Sequence, residues 1–304
     1  KKAEDVMPAV LTAGTEAGRI TEAGAALLEG LLPAGLPLAP PEGDGGTGMV
    51  ATNAVAPRTG NVSAGTSIFA MVVLEKGLSK VYPQIDMVTT PTGKPVAMVH
   101  CNNCTSDINA WAGMLGGFAE AAGAKISMGD IYTALFTAAL RGEADCGGIL
   151  LYNYIAGEHI TGVSEGRPLL VRKPENKLSL ANFMRSQIYS IFASLAVGHR
   201  ILDAEQVRIR RLTGPGGLFK TPGVAQKYMA AALNAPVTVM KTAGEGGPYG
   251  MAILAAYCHD FGKGLSLGEY LSQKVFKNAD GITLPPNEAD VEGFNKYIEN
   301  YKKL

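Results

Sequence analysis

From Asn182 onward, long apolar helical runs alternate with short apolar strands, and this alternation limits what the chain can fold into. Phe183, Ile188, Ile191 and Leu195 recur at helical spacing, which predicts a long helix over Asn182–Leu202. A strand follows at Val207–Leu212, a helix at Thr221–Leu233, a strand at Val237–Met240 and a helix at Pro248–His259. Strands connected through helices lie side by side in one sheet, with the helices stacked on its faces. Ahead of them, Asn61–Glu75 is apolar strand material broken at Gly65-Thr66-Ser67. Asp86–His100 reads as a hairpin around Pro91-Thr92-Gly93-Lys94. The fold class is therefore α/β, a mixed sheet flanked by helices.

The other segments are read the same way. Asp5–Leu32 holds two short helical pieces, the second opened by Thr21 with Glu22 in its first turn. Pro33–Gly46 is loop and Gly48–Val55 a short helix. Ser106 is expected to cap a helix carrying Ile108, Trp111, Leu115 and Phe118 that ends at Gly123. A helix at Asp130–Leu140 and a strand at Gly148–Tyr152 follow, and Ala289–Leu304 reads as an amphipathic helix packed on the outside. At 304 residues the chain can hold one large domain or two tightly joined subdomains.

Charge excludes some partners. Lysine plus arginine equals aspartate plus glutamate, 27 each, so there is no electrostatic footprint for nucleic acid or an anionic membrane. No apolar run reaches membrane-spanning length and no stretch reads as a signal peptide. Four cysteines without a regular framework fit a reduced, cytoplasmic protein. The sequence starts at Lys1, directly in helix-like residues, and reads as a fragment whose upstream part is missing.

Three sites invite phosphate. Asp44, in the glycine-rich run Glu42-Gly43-Asp44-Gly45-Gly46, is an accessible carboxylate able to take a proton. An aspartate beside glycine is also an ordinary turn former. Asp44-Gly45-Gly46-Thr47 mimics an Asp-x-Gly-Thr phosphate turn, but such a turn follows an apolar strand and here Pro40-Pro41 precede it. Gly65-Thr66-Ser67 is either a bend between strands or a hairpin turn whose amides and hydroxyls face a phosphate. Thr213–Thr221, TGPGGLFKT, lies between a strand and a helix, where amides and the helix dipole receive phosphate. It fails as a P-loop because Phe219 stands where glycine must precede Lys220. What remains is a Gly216-Gly217 turn that lets a nucleotide lie against backbone. Gly244–Gly250, GEGGPYG, repeats the arrangement after the next strand, so the two turns are expected to form opposite walls of one cleft; each also fits a close helix–sheet contact. Cys101 and Cys104 form a Cys-x-x-Cys pair before a helix, a redox-active arrangement or a plain strand-to-helix turn. Cys146, Cys258, His159, His199 and His259 have no metal-ligand spacing. The acid and the phosphate turns together point to phosphoryl transfer to a hydroxyl.

In their order, these motifs resemble the C-terminal half of the FGGY carbohydrate kinases. The glycine-flanked aspartate, the Gly-Thr-Ser turn, the helix containing DINAW, the YNYIAGEHITG segment, GGLFKT and GEGGPYGMAILAAY carry the resemblance over nearly the whole chain. HCNNCTSDINAW and LANFMRSQIYSIF are most similar to xylulokinase-like members. The resemblance implies an actin-like ATPase lobe of ribonuclease H type that uses ATP and Mg²⁺. It makes Asp44 the base that takes the sugar hydroxyl proton, and Gly65 and Thr66 the turn facing the transferred phosphoryl group. Gly216 and Gly217 lie against the nucleotide, and Leu218 and Thr221 line its adenosine side. Ser106 stands near the phosphates where many relatives carry glycine. No protein ligand to Mg²⁺ is implied, because the nucleotide holds the metal. Residues 1–40 match the segment that links the lobes and 41–304 the nucleotide-binding lobe. The N-terminal lobe, with most of the sugar contacts, is missing from the sequence, so the chain alone is expected to be inactive. The expected acceptor is a ketopentose, D-xylulose first, with ribulose, rhamnulose, gluconate and glycerol as alternatives. A homodimer is compatible with the sequence. Two other classes compete: a non-catalytic nucleotide-binding module and a thiol oxidoreductase using Cys101 and Cys104.

Overall fold

A computed structural model of the chain describes residue 6 and residues 9–214, 217–240, 246–261 and 263–303, without the side chains of 260 and 261. Its elements in chain order are β1 (Gly18–Arg19), α1 (Glu22–Leu27), β2 (Pro37–Leu38), α2 (Asp44–Ala51), β3 (Thr59–Ala64), β4 (Ile68–Val73), β5 (Asp86–Thr89) and β6 (Pro95–Cys101). Then come α3 (Ser106–Ala121), α4 (Met128–Ala139), β7 (Leu150–Tyr152), β8 (Leu169–Val171), α5 (Leu180–Ala204), β9 (Arg211–Thr213) and α6 (Val224–Leu233). The last are β10 (Val237–Met240), α7 (Gly246–Ala256), α8 (Leu267–Tyr270), β11 (Gly281–Leu284) and α9 (Glu288–Tyr301).

Seven strands form one mixed sheet in the order β11-β10-β9-β3-β4-β6-β5. Strand β3 pairs parallel with β9, and β9 with β10, while β4 runs antiparallel to both β3 and β6. In the run β6-β4-β3-β9-β10 only β4 opposes the others. Alternation along β4 sends its two sets of side chains to opposite faces. Ile68, Ala70 and Val72 join the larger core under α3, α4, α5 and α6. Met71 and Val73 join a second core under α2, α7 and α8. Helix α5 is buried around most of its circumference, as a helix central to its layer must be. Its Arg185 pairs with Asp290 of α9 inside the core.

Several boundaries differ from the expected ones, for local reasons. Residues 9–20 contain no helix, whereas Thr21 does cap α1 by accepting from the Gly24 N–H; Asp5 lies outside the described residues. The expected loop at Pro33–Gly46 holds β2, and α2 begins at Asp44 rather than Gly48. Glycine disfavours helix, but packing overrides it here. A Cβ on Gly45 would lie 3.1 Å from Met71 Sδ and one on Gly48 3.3 Å from Asn61 Nδ2, so small residues let α2 settle on the sheet. Strand β9 starts only at Arg211, because Gln206, with φ 58°, turns the chain out of α5 and residues 207–210 lead it back to β3. Helix α6 starts at Val224 instead of Thr221 because Gly223, with φ 78°, breaks the backbone before it. Strands β8 and β11 were not expected. No helix among the described residues is long and apolar enough to cross a membrane.

Candidate active site

The β3–β4 hairpin carries the Gly-Thr-Ser turn past the end of the core. Gly65 donates its N–H to the Ser67 carbonyl at 2.9 Å, and Gly65 and Thr66 are both exposed. A Cβ on Gly65 would meet nothing closer than the Ser67 carbonyl oxygen at 4.0 Å, so packing does not demand glycine there. Space beside an exposed backbone is what a ligand in close approach requires. The turn is held from behind: Thr105 donates both its N–H, at 3.2 Å, and its hydroxyl, at 2.8 Å, to the Gly65 carbonyl.

Beside this turn lies a groove of about 620 Å³. One wall is Ala64 and Gly65, with Thr105, Ile108 and Asn109 of the α3 start next to them. Tyr132, Thr133 and Phe136 of α4 form the second wall, fastened to α3 by the Tyr132 hydroxyl donating to Asn109 Oδ1 at 2.9 Å. Gly217, Leu218, Lys220 and Thr221 form the third. Gly217 opens a 3-10 turn that ends at Phe219, and a Cβ on it would meet nothing within 4 Å. Leu218 and Phe219 are buried while Lys220 stays exposed, so this wall offers an apolar floor and a cation at its rim. An aromatic base against apolar side chains with phosphates toward a cation and backbone amides would suit such a groove.

Four of the sequence-predicted residues, Gly65, Gly217, Leu218 and Thr221, thus meet in one groove although up to 156 positions separate them. Gly216 lies outside the described residues. Thr66 sits at the hairpin tip, beyond the groove lining. Ser106 corrects an expectation: the N-cap position belongs to Thr105, Ser106 is the first helical residue, and Thr105 is the one lining the groove. Thr105 engages Gly65, 40 positions away, through a long-range bond with no signature in sequence. Asn109, Tyr132, Thr133, Phe136 and Lys220 were likewise not anticipated, because they are ordinary helix and turn residues until the two helices close over the hairpin.

Asp44 stands elsewhere. It opens α2 rather than occupying a flexible turn, its carboxylate is exposed, and its Oδ1 accepts from the Gly45 N–H at 2.8 Å. Since α2 packs on the Met71 face of β4 and the groove lies on the other face, the hairpin separates them. Asp44 does not line the groove.

The described part of the second glycine run, Gly246–Gly250, does not line the groove. Residues 241–245 lie outside the description, and Gly246 and Gly247 begin α7 on the α2 side of the sheet. There Gly250 permits close contact with Thr47: a Cβ on it would lie 2.7 Å from the Thr47 carbonyl carbon and closer still to the oxygen. Thiol chemistry finds no support either. Cys101 and Cys104 are buried, and burial pushes both thiols up, that of Cys104 to about 12.

Comparison with known proteins agrees with this geometry. The profile of the FGGY family of carbohydrate kinases, C-terminal domain, matches residues 60–259. No curated protein sequence matches. Among solved structures, xylulose kinase from Rhodospirillum rubrum is similar with a TM-score of 0.77 at 18% identity, over 96% of this chain and 55% of that one. Gluconate kinase from Lactobacillus acidophilus gives 0.74 at 16%, over 97% and 56%. Plasmodium falciparum glycerol kinase with ADP gives 0.70 at 14%, over 98% and 56%. The chain therefore spans a little over half the length of these neighbours. Their fold is the actin-like ATPase fold, and the β6-β4-β3-β9-β10 order with one opposed strand is its ribonuclease H-type sheet. On the profile match across about two thirds of its length, the chain belongs to the FGGY family of carbohydrate kinases and carries that family's C-terminal domain.

Proposed function

We propose that this chain is the nucleotide-side lobe of an ATP-dependent sugar kinase, with D-xylulose as the first acceptor to test. The observation that carries the reading is the convergence of Gly65, Gly217, Leu218 and Thr221 on one groove beside an exposed hairpin turn. The nucleotide lies with its adenosine side against Leu218 and Thr221 and its ribose and phosphates against the Gly217 turn, and the phosphates run on toward Gly65, Thr66 and the Thr105–Ser106 start of α3. Asp44 accepts the proton of the sugar hydroxyl. The hydroxyl oxygen bonds to the γ-phosphorus as the bond to the β,γ-bridging oxygen breaks, and ADP leaves. The fixed Gly65 turn supplies preorganised polar groups where charge spreads in the transition state. Among the described residues no group of three or more histidines, cysteines or acids could hold a metal. A Mg²⁺ held by the triphosphate would neutralise phosphate charge when bound, and no protein ligand is assigned to it. Residues 1–40 serve as the link to a second lobe and 41–304 as the catalytic lobe; α1, which buries no side chain, suits a connecting segment. Sugar contacts and exclusion of water need both lobes, so the isolated chain turns over little or no sugar.

The test is ADP release by the full-length gene product with Mg-ATP and D-xylulose, beside Asp44→Asn. Sugar-dependent turnover should fall about 10²–10⁴-fold in the variant, with Kd for ATP unchanged. Full turnover in the variant removes Asp44 from the mechanism. If D-xylulose is inert, ribulose, rhamnulose, gluconate and glycerol follow; silence from all of them favours a non-catalytic nucleotide-binding module.

A further inference from the structure

Among the described residues Glu158 is the most deeply buried acid that the proposed reaction leaves unused. Its side chain is fully inaccessible, and it belongs to the YNYIAGEHITG segment, to which the sequence assigns no chemistry. An inaccessible carboxylate is costly unless donors meet it. Two do: the Asn102 N–H at 3.0 Å and Asn103 Nδ2 at 3.1 Å both donate to Glu158 Oε2. Oε1 has no hydrogen-bond partner and lies 3.7 Å from His159 Nδ1.

Both donors belong to the loop between β6 and α3, and neighbours of Glu158 hold the same loop. Asn102 Nδ2 donates to the Gly157 carbonyl at 2.8 Å, the Ala156 N–H donates to Asn103 Oδ1 at 2.8 Å, and Asn153 Nδ2 donates to the Cys104 carbonyl at 3.1 Å. The next residue of the loop is Thr105, whose two bonds end on the Gly65 carbonyl. A continuous polar path therefore runs from a buried carboxylate to the exposed phosphate turn. Strand pairing does not duplicate it: β5 covers one edge of β6 only as far as Met98 and β4 the other as far as Cys101, so no ladder pairing reaches residues 102–105.

We propose that Glu158 is a positioning residue for phosphoryl transfer, holding the Asn102–Thr105 loop so that Thr105 sets the placement of the Gly65 turn. This rests on the kinase reading above. An anchor buried away from water suits the task, because a misplacement near 1 Å at a reacting centre is costly.

The test is steady-state kinetics of the full-length gene product, with hydrogen exchange read at the amides of Gly65–Ser67. Glu158→Ala should lower kcat at least about tenfold with both KM values within about threefold. Exchange at Gly65–Ser67 should quicken by a similar factor. Glu158→Gln keeps an acceptor oxygen and should restore most of the rate. Thr105→Val should lower kcat as well, and combining it with Glu158→Ala should add little, since both cut one path. If Glu158→Ala does not fold, Glu158→Asp, which withdraws the acceptor by one methylene, takes its place with the same expectations. Wild-type kcat and wild-type exchange in the folded variant overturn the proposal, as do fully additive effects with Thr105→Val. An inactive wild-type protein would instead count against the kinase reading, and the exchange measurement would still decide whether Glu158 orders the turn.

Discussion

Gly250→Ala is expected to slow catalysis through a contact that involves neither substrate nor groove. In the native packing a Cβ on Gly250 would lie 2.7 Å from the Thr47 carbonyl carbon and 2.9 Å from its Cα. Carbon atoms rest at about 3.5 Å, so α2 and α7 must separate by roughly 0.8 Å, and somewhat more to clear the carbonyl oxygen. The obstacle is helix backbone on both sides, which no rotamer change can relieve. Overpacking of this kind costs about 1–3 kcal/mol, which would lower Tm by several degrees. Thr47 is one helical turn from Asp44, and its hydroxyl donates to the Asp44 carbonyl at 3.0 Å, so a shift of α2 carries with it the carboxylate proposed as the base. A displacement near 1 Å at a proton-accepting group is worth up to about 10²-fold in kcat. Sugar phosphorylation, ATP binding and thermal melting should be measured on the same preparation. The expected result is a fall in kcat of at least about tenfold with an ATP Kd within about twofold of wild type. A destabilised variant with full kcat would refute the coupling of the α2–α7 contact to Asp44, and an unchanged Tm would refute the packing argument itself.

Two further outcomes are expected. Gly217→Val should raise the Kd for Mg-ATP at least about tenfold, about 1.4 kcal/mol, because its side chain enters the groove. Open space at this Cβ means Tm should hardly move, and an unchanged Kd would place the nucleotide elsewhere. His199 is buried in α5 with both ring nitrogens unpartnered, and burial lowers its pKa to about 4. Between that value and about 6.5 the unfolded chain binds the proton and the folded one does not. Stability is thus complete above pH 6.5 and falls by about 3 kcal/mol as pH drops to 4. His199→Leu should flatten this part of the pH profile of Tm; an identical profile in the variant would assign the acid sensitivity to other groups.

What could be read from the sequence was whatever local chemistry determines. Apolar periodicity places α5, β10 and the β3–β4 and β5–β6 hairpins, because each buries a face that its own residues define. The Gly65 and Gly217 turns were legible as glycines placed where an apolar strand gives way to the next element, and the structure adds that packing demands glycine at neither. Where a residue's part depends on what the rest of the chain brings to it, sequence had no purchase. Asp44 looked like a flexible-turn acid because a run of glycines disfavours helix, yet contacts with Met71, Asn61 and Gly250 make those residues a helix. GEGGPYG resembled a second nucleotide turn, and the described part of it serves helix–helix contact instead. Thr105 and Glu158 act through hydrogen bonds to residues 40 and about 55 positions away, separations over which no periodicity or cap signal reaches. Composition and pattern determine which segments are buried and which turns stay open. Which turn meets which helix, and therefore where a phosphate can be gripped, is decided by tertiary packing, since only the closed sheet and its two helical layers bring those backbones within bonding distance.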